Sequence, residues 1–484
     1  MSTYSFHTFM FPFRWKIKDL DNRPFSEQID LHNIHYAHSP NWERITAPTV
    51  EDESNDLYNE RNYFYQFVHP ALYDDNSEHT IIRHFERREP KHGNVTYHIV
   101  CGRERKEYIL DLKAINLNLY STGVGVLSFF LHNTKYSGAE DVLFINQYGR
   151  RVFPAFIADV ENRFELAHRL ECNGLNGVYS EDFSSYNNKI MSNTPAAFIT
   201  KMVHEVAQNI ELQPVIDDRM FVLSWYKNDE MSNRFKKDNN SYNEFLYDDW
   251  WYRYVFVDGS SKTCPNDNMS HCLIRKATYP RWQQWGTLYG VSRYSMVMLT
   301  SNDCPDYLTN YFETEYARMA ELAFMQRATV LRFSSEITRI SNMSLQKGFG
   351  AQVSSLYKEY IRFENQIYFR EVSAQDQGIE MYKLLFDAVN LKEQVEKLDD
   401  EIEELYNFVS LCEDRITNRT MSLLTWITTI FLPVTVTTGF FAMTSYAFNG
   451  DEGGYYLGLQ AGILICFSLI VILTILIIKN KKIK

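Results

Sequence analysis

The sequence predicts an α+β domain followed by long stalk helices and a C-terminal hairpin of two membrane-spanning helices. Three observations carry this expectation. Residues 421–443 and 455–478 contain no ionised side chain, and about 20 consecutive apolar or small residues are enough to cross the hydrocarbon core of a bilayer. No proline occurs in the 127 residues between Pro305 and Pro433, a stretch rich in helix formers. Before Pro305, short runs alternate apolar with polar residues, the period of strands buried on one face.

Residues 1–305 read as a mixed α/β ligand-binding or regulatory domain. Phe9, Phe11, Phe13 and Trp15 alternate and predict an early strand. Ile115, Leu117 and Leu119 alternate against Asn116, Asn118 and Tyr120, and the chain turns at Ser121 to Gly123 before Val124, as in an antiparallel hairpin. Further strands are expected at Asp141 to Ile145, ending at Asn146 to Gly149 with Arg150 and Arg151 beyond it, at Arg219 to Tyr226, and at Trp251 to Val257. Between them, Pro195 to Ile210 reads as a helix with Phe198, Met202, Val203 and Val206 on one face.

Residues 306–377 are expected to form long antiparallel helices interrupted at Gly348 and Gly350, and residues 378–420 a stalk helix. Leu384, Ala388, Leu391, Val395, Leu398, Ile402, Leu405, Val409, Cys412 and Ile416 step by three and four residues, a seam of coiled-coil type. No glycine or proline interrupts Ile379 to Leu432, so one unbroken helix of roughly 65 residues and about 95 Å is expected to run into the first span.

The hairpin follows: residues 421–443, an outer loop 444–454 with Asp451 and Glu452, a second span 455–478, and a basic tail 479–484. Arg415 and Arg419 precede the first span and four lysines follow the second, which places both termini on the cytoplasmic side. The first span is rich in hydroxyls, among them Thr425, Thr428, Thr429, Thr435, Thr437 and Thr438. Such groups either bond the carbonyl four residues back or form a small, polar stripe suited to a pore. One hairpin cannot enclose a pore, so several copies in a ring are required.

Composition limits the alternatives. A net charge of −12 argues against a surface for long nucleic acid, which needs a basic face. Seven scattered cysteines form no disulfide framework, and Cys264, His271, Cys272 and Cys304 do not have zinc-ligand spacing. No phosphate loop, zinc-protease or nucleophile-elbow motif is present, so no enzyme is expected. The N-terminal residues lack the pattern of a secretory leader. Arg150 and Arg151 are the candidate partners for a ligand phosphate, and Asp217 and Asp218 for a ribose or amine; the competing reading is a pair of surface arginines and a solvated turn.

The run from Met421 to Thr444, with Thr-Ile-Phe-Leu-Pro-Val-Thr at 429–435 and Gly439 after it, resembles the first membrane helix of the CorA magnesium channels. The layout of a long soluble part followed by a two-helix hairpin is similar as well. The resemblance implies a homopentameric funnel in the cell inner membrane whose first membrane helices line the pore. Matched by position, Asn418, Met421, Leu424, Thr428, Leu432, Thr435 and Gly439 would face the axis, with Thr444 at the outer mouth. There the family carries Gly-Met-Asn, whereas this chain reads Ala442-Met443-Thr444. The amide oxygen that helps hold a hydrated divalent ion is absent, so magnesium selectivity does not carry over with the motif. The large aromatic domain and the altered mouth are together similar to a CorA branch found with type III CRISPR systems. That resemblance implies an antiviral effector responding to a nucleotide second messenger, S-adenosylmethionine-AMP. The alternatives are a magnesium or divalent cation transporter, and a membrane-anchored interaction protein. The expected partners are lipid, further copies of the chain and a small nucleotide or Mg2+, with no direct nucleic acid.

Overall fold

The computed structural model describes residues 3–47, 56–87, 95–101, 106–152, 167–183, 195–216, 219–236, 243–343 and 348–444, with isolated positions from 458 to 469. Among them thirteen strands form one sheet: β1 Ser5–Ile17, β2 Trp42–Arg44, β3 Ile82–Arg87, β4 Thr96–Cys101, β5 Glu107–Tyr120, β6 Val124–Asn133, β7 Ala167–Asn173, β8 Tyr179–Asp182, β9 Ile210–Pro214, β10 Phe221–Lys227, β11 Thr278–Tyr279, β12 Leu288–Val291 and β13 Ser295–Thr300. The order across it is β11-β12-β13-β10-β1-β6-β5-β4-β7-β8, with β2 on β3, β3 on β5 and β9 on β1. Pairs are antiparallel except β10 with β13.

The helices are α1 Phe25–Gln28, α2 Asp56–Tyr63, α3 His69–Leu72, α4 Ala139–Gly149, α5 Ala197–His204, α6 Asp229–Lys236, α7 Asp249–Phe256, α8 Asp267–Ala277, α9 Asp306–Glu313, α10 Glu315–Ser341, α11 Phe349–Gln366, α12 Asp376–Ala388 and α13 Leu391–Thr444. The chain divides into two units, Met1–Glu403 and Glu404–Lys484.

The alternation of β1 is as expected, and Phe9, Phe11, Phe13 and Trp15 are fully buried. Both faces of the strand are covered. His7 hydrogen-bonds Asn146 of α4, while on the opposite face Arg14 donates to Ser335 of α10, so β1 has helices on both sides. The same holds for β5, whose Asn118 and Tyr120 donate to Glu321 of α10. The polar residues that mark a solvent face in the sequence are here a buried polar layer. The turn at Ser121 to Gly123 forms, with Gly123 at φ +74°, a conformation that costs glycine little.

Three expectations fail. Asp141 to Ile145 belongs to α4 and is not a strand; Glu140 and Asp141 sit in its first turn, where carboxylates stabilise the helix N-terminus. Trp251 to Phe256 is likewise helical, in α7 with Val257 as its C-cap, because Asp248 caps the helix start by accepting from the Trp251 N–H at 2.7 Å. The stalk is not one helix from residue 378. It breaks between α12 and α13, where Asn390 takes φ +52° and its side chain donates to Glu393 at 2.6 Å. Asparagine enters the left-handed region more readily than other non-glycine residues. Beyond the break Leu391, Val395, Leu398, Ile402 and Val409 of the seam are buried, whereas Leu405 and Cys412 are half-buried and Ile416 is exposed. Before it the buried residues of α12 are Met381, Tyr382, Leu385 and Phe386, so Leu384 and Ala388 are displaced from the seam. Gly348 precedes α11, but Gly350 lies inside that helix.

Candidate functional site

Two places hold the residues singled out by the sequence. The first is at the end of α4. Its last residue, Gly149, packs so closely on β1 that a Cβ there would lie 2.6 Å from the Phe9 ring, and its carbonyl accepts from the Tyr97 hydroxyl at 3.0 Å. The helix is therefore clamped just before Arg150. The Met220 N–H then donates to the Arg150 carbonyl at 2.8 Å, and Arg151 pairs with Arg219 in an isolated antiparallel bridge.

The two arginines follow a helix, not a strand, and they are buried, Arg150 to 2% and Arg151 to 6% exposure. The expectation of surface arginines is thereby overturned. Arg150 Nη2 donates to the Val257 carbonyl at 3.2 Å, at the left-handed C-cap of α7. Its guanidinium lies 5.6 Å from the centroid of the Tyr294 ring, and that of Arg219 lies 4.7 Å from the same ring. Two cations thus share one aromatic ring, with Arg151 joined to Arg219 through the backbone bridge. Arg219 and Tyr294 were not predicted here. Arg219 directly follows Asp217 and Asp218, but Tyr294 sits in a tight turn between β12 and β13 with no sequence signal. Asp217 and Asp218, and Phe153 and Phe156, lie outside the described residues. Among the described residues no group of three His, Cys, Asp or Glu side chains forms a metal site.

The second place is α13. Asn418, Met421, Leu424, Thr428, Leu432, Thr435 and Gly439 all lie on this one helix, spaced by three or four residues, and all are exposed in the single chain. Thr425, Thr428, Thr429 and Thr435 each donate a hydroxyl proton to the carbonyl four residues earlier, at 2.6–2.7 Å. With the proton directed back along the helix, the oxygen lone pairs remain toward the surface. Leu423, Ile427 and Phe431 are exposed as well. Among the described residues no helix is long and apolar enough to cross a membrane. Asp451 and Glu452 and most of the second predicted span lie outside the described residues, and the side chain of Thr444 is outside them too.

The deciding observation is a match over the C-terminal part of the chain. Residues 352–481 match the family model described as CorA-like Mg2+ transporter protein. The chain carries a CorA-like domain. The match begins in α11 and includes α12, α13 and the predicted hairpin. Members of this family are channels and transporters, not enzymes. A search of curated proteins finds no match to the chain.

Proposed function

We propose that the chain is a CorA-like membrane channel for cations, built from several copies and gated through the domain before Pro305. The observation that supports this best is the makeup of α13. One helix carries a buried heptad seam at Leu391, Val395, Leu398 and Ile402 and, farther along, an exposed face from Asn418 to Gly439 with hydroxyl oxygens at Thr428 and Thr435. Such a face is stable in lipid when copies of it meet around a wet path. In this reading five chains form the ring in the cell inner membrane, residues 421–443 and 455–478 span it, both termini are cytoplasmic, and Asp451 and Glu452 gather cations at the mouth.

The gating ligand we assign to the arginine cluster is the phosphate of a nucleotide second messenger, S-adenosylmethionine-AMP, as fits an effector of type III CRISPR defence. Arg150, Arg151 and Arg219 supply the positive charge, and Asp217 and Asp218 precede them. The second reading is a magnesium transporter, favoured by the description of the matching family and opposed by Ala442-Met443-Thr444 in place of Gly-Met-Asn.

Single-channel recording of the reconstituted full chain tests the proposal. Cation current is expected, appearing with the conjugate and altered in Thr435→Leu. Absence of current under every ligand, Mg2+ included, would reduce the hairpin to an anchor. Equilibrium binding with Mg2+, ATP, S-adenosylmethionine and the conjugate separates the gating readings. Loss of conjugate binding in folded Arg150→Ala/Arg151→Ala protein supports the cluster, whereas a response to Mg2+ alone supports transport.

A further inference from the structure

A second basic site lies elsewhere in the domain. A half-open cavity of about 260 Å³ is bounded by the end of β1, by β9 and by α10. That is the space of roughly eight or nine waters, enough for a phosphate group with a small organic part. Its walls carry Arg14 and Lys16 from β1, Glu211 and Gln213 from β9, and Arg332, Glu336 and Arg339 from α10.

The charges there do not cancel. Lys16 is shared between Asp21 at 2.5 Å and Glu211 at 3.2 Å. Arg339 pairs with Glu336 at 2.7 Å through Nε, and its Nη2 is buried with no hydrogen-bond partner among the described residues. Among the described residues Arg14 bonds neutral groups, Ser335 Oγ at 2.8 Å and Gln213 Oε1. Arg332 is 2% exposed, and its Nε has no hydrogen-bond partner among the described residues. Three guanidiniums and Lys16 therefore meet two carboxylates in the lining, Glu211 and Glu336, and Lys16 occupies Glu211. Burial brings the Arg332 guanidinium down to a pKa of about 10, opposed by the charge of Glu336 and assisted by Arg14 and Arg339.

The fold makes room for this arginine. Gly123 turns at φ +74°, and a Cβ on it would fall 2.7 Å from Arg332 Nε. On its other side the guanidinium lies 5.2 Å from the Phe25 ring centroid. A structural arginine would ordinarily be given a carboxylate of its own; here Glu336, whose charge acts on Arg332, is engaged by Arg339.

We propose that this cavity is a binding site for a phosphate-bearing small molecule, with Arg14, Arg332 and Arg339 as its anion partners. Guanidiniums match two phosphate oxygens at once, and an arriving dianion would supply the charge that Glu336 alone does not. The site is separate in residues from the Arg150 cluster and stands whether or not that cluster binds a messenger.

The test is calorimetric titration and thermal melting of the purified full chain with inorganic phosphate, pyrophosphate and AMP, against chloride at equal ionic strength. Saturable binding and a raised melting temperature are expected for at least one of the three, weakened tenfold or more by Arg332→Met and by Arg339→Gln. Arg339 is a rim residue with its side chain 37% exposed, so Arg339→Gln remains informative where Arg332→Met fails to fold. Binding by phosphate as well as AMP assigns the site to the phosphate group, and binding by AMP alone to a nucleotide. No saturable binding by any probe, an effect equalled by chloride, or binding unaltered in Arg339→Gln would overturn the proposal.

Discussion

Lowering the pH from 7 to 4 should destabilise the fold through two buried histidines. His7 in β1 and His84 in β3 are buried on all sides, and burial lowers their pKa values from 6.5 to about 4 and about 3. The neutral ring of His7 is satisfied as it stands: Nδ1 donates to Asn146 Oδ1 at 2.6 Å and Nε2 accepts from Ser5 Oγ at 2.9 Å. His84 hydrogen-bonds Asn118, which reaches on to Glu321, and the nearby Arg318 cation further opposes its protonation. The unfolded chain takes up protons below pH 6.5 while the native chain does not, so stability is complete above that pH and falls below it. At about 1.4 kcal/mol per pH unit, each histidine removes about 1.4 kcal/mol by pH 5.5 and about 3 kcal/mol by pH 4. Together the two losses approach the stability of a typical domain, about 5–15 kcal/mol. His69 and His204 shift in the same direction. Asp248 and Glu359 have carboxyl pKa values raised by burial and act in the opposite direction. Denaturant titrations followed by tryptophan fluorescence at pH 7 and 5.5, at one ionic strength, measure the slope. His7→Gln/His84→Gln should lower stability at pH 7 but remove most of the pH dependence. A wild-type midpoint that does not move over this range, or a double variant with the wild-type slope, would refute the reasoning.

Other perturbations act on single, identifiable contacts. Asp74 has a fully buried carboxylate that accepts from Arg44 at 2.6 and 2.8 Å and from Arg83 at 3.0 Å, so Asp74→Asn should cost about 3–5 kcal/mol in urea denaturation. Gly123→Ala combines positive φ with a clash against Ile29 and Arg332 and should cost about 1–3 kcal/mol by the same measurement. At the break before α13, Asn390→Ala should lose about 1 kcal/mol while Asn390→Gly stays near wild type, read by thermal melting. Thr435→Val removes the hydroxyl oxygen at nearly constant volume and should lower single-channel conductance without closing the path, in contrast to the bulkier Thr435→Leu.

How far the fold is legible depends on how local its causes are. The alternation of Phe9, Phe11, Phe13 and Trp15 places β1 without knowledge of any neighbour, and the seam from Leu391 to Val409 does the same for the first part of α13. Trp251 to Val257 misleads because aromatic and β-branched residues favour strands when taken alone, while the deciding contact is one hydrogen bond from Asp248. Asp141 to Ile145 is too short for its period to separate helix from strand, although the acidic residues ahead of it are a helix-start signal. Asn390 breaks the stalk without a glycine or proline to announce it. Its left-handed backbone is supported by Glu393, a contact visible only in three dimensions.

The candidate sites divide along the same line. The face from Asn418 to Gly439 is legible because one helix carries all of it and its spacing is fixed by the helical turn. Its hydroxyls also show that the two readings of a threonine in such a helix are compatible. Donation to the preceding turn uses the proton of Thr428 and Thr435 but leaves the oxygen lone pairs, so a face satisfied for an isolated helix is also one that can solvate a cation. The arginine clusters are not legible in this way. Arg150 and Arg219 meet over Tyr294, and Arg14 and Arg332 meet beside Gly123, only because β10 and β6 flank β1 and α10 covers its other face. Arginines mark an anion site only when the fold brings more positive charge together than it neutralises, and at the cavity beside α10 three guanidiniums and Lys16 meet Glu211 and Glu336.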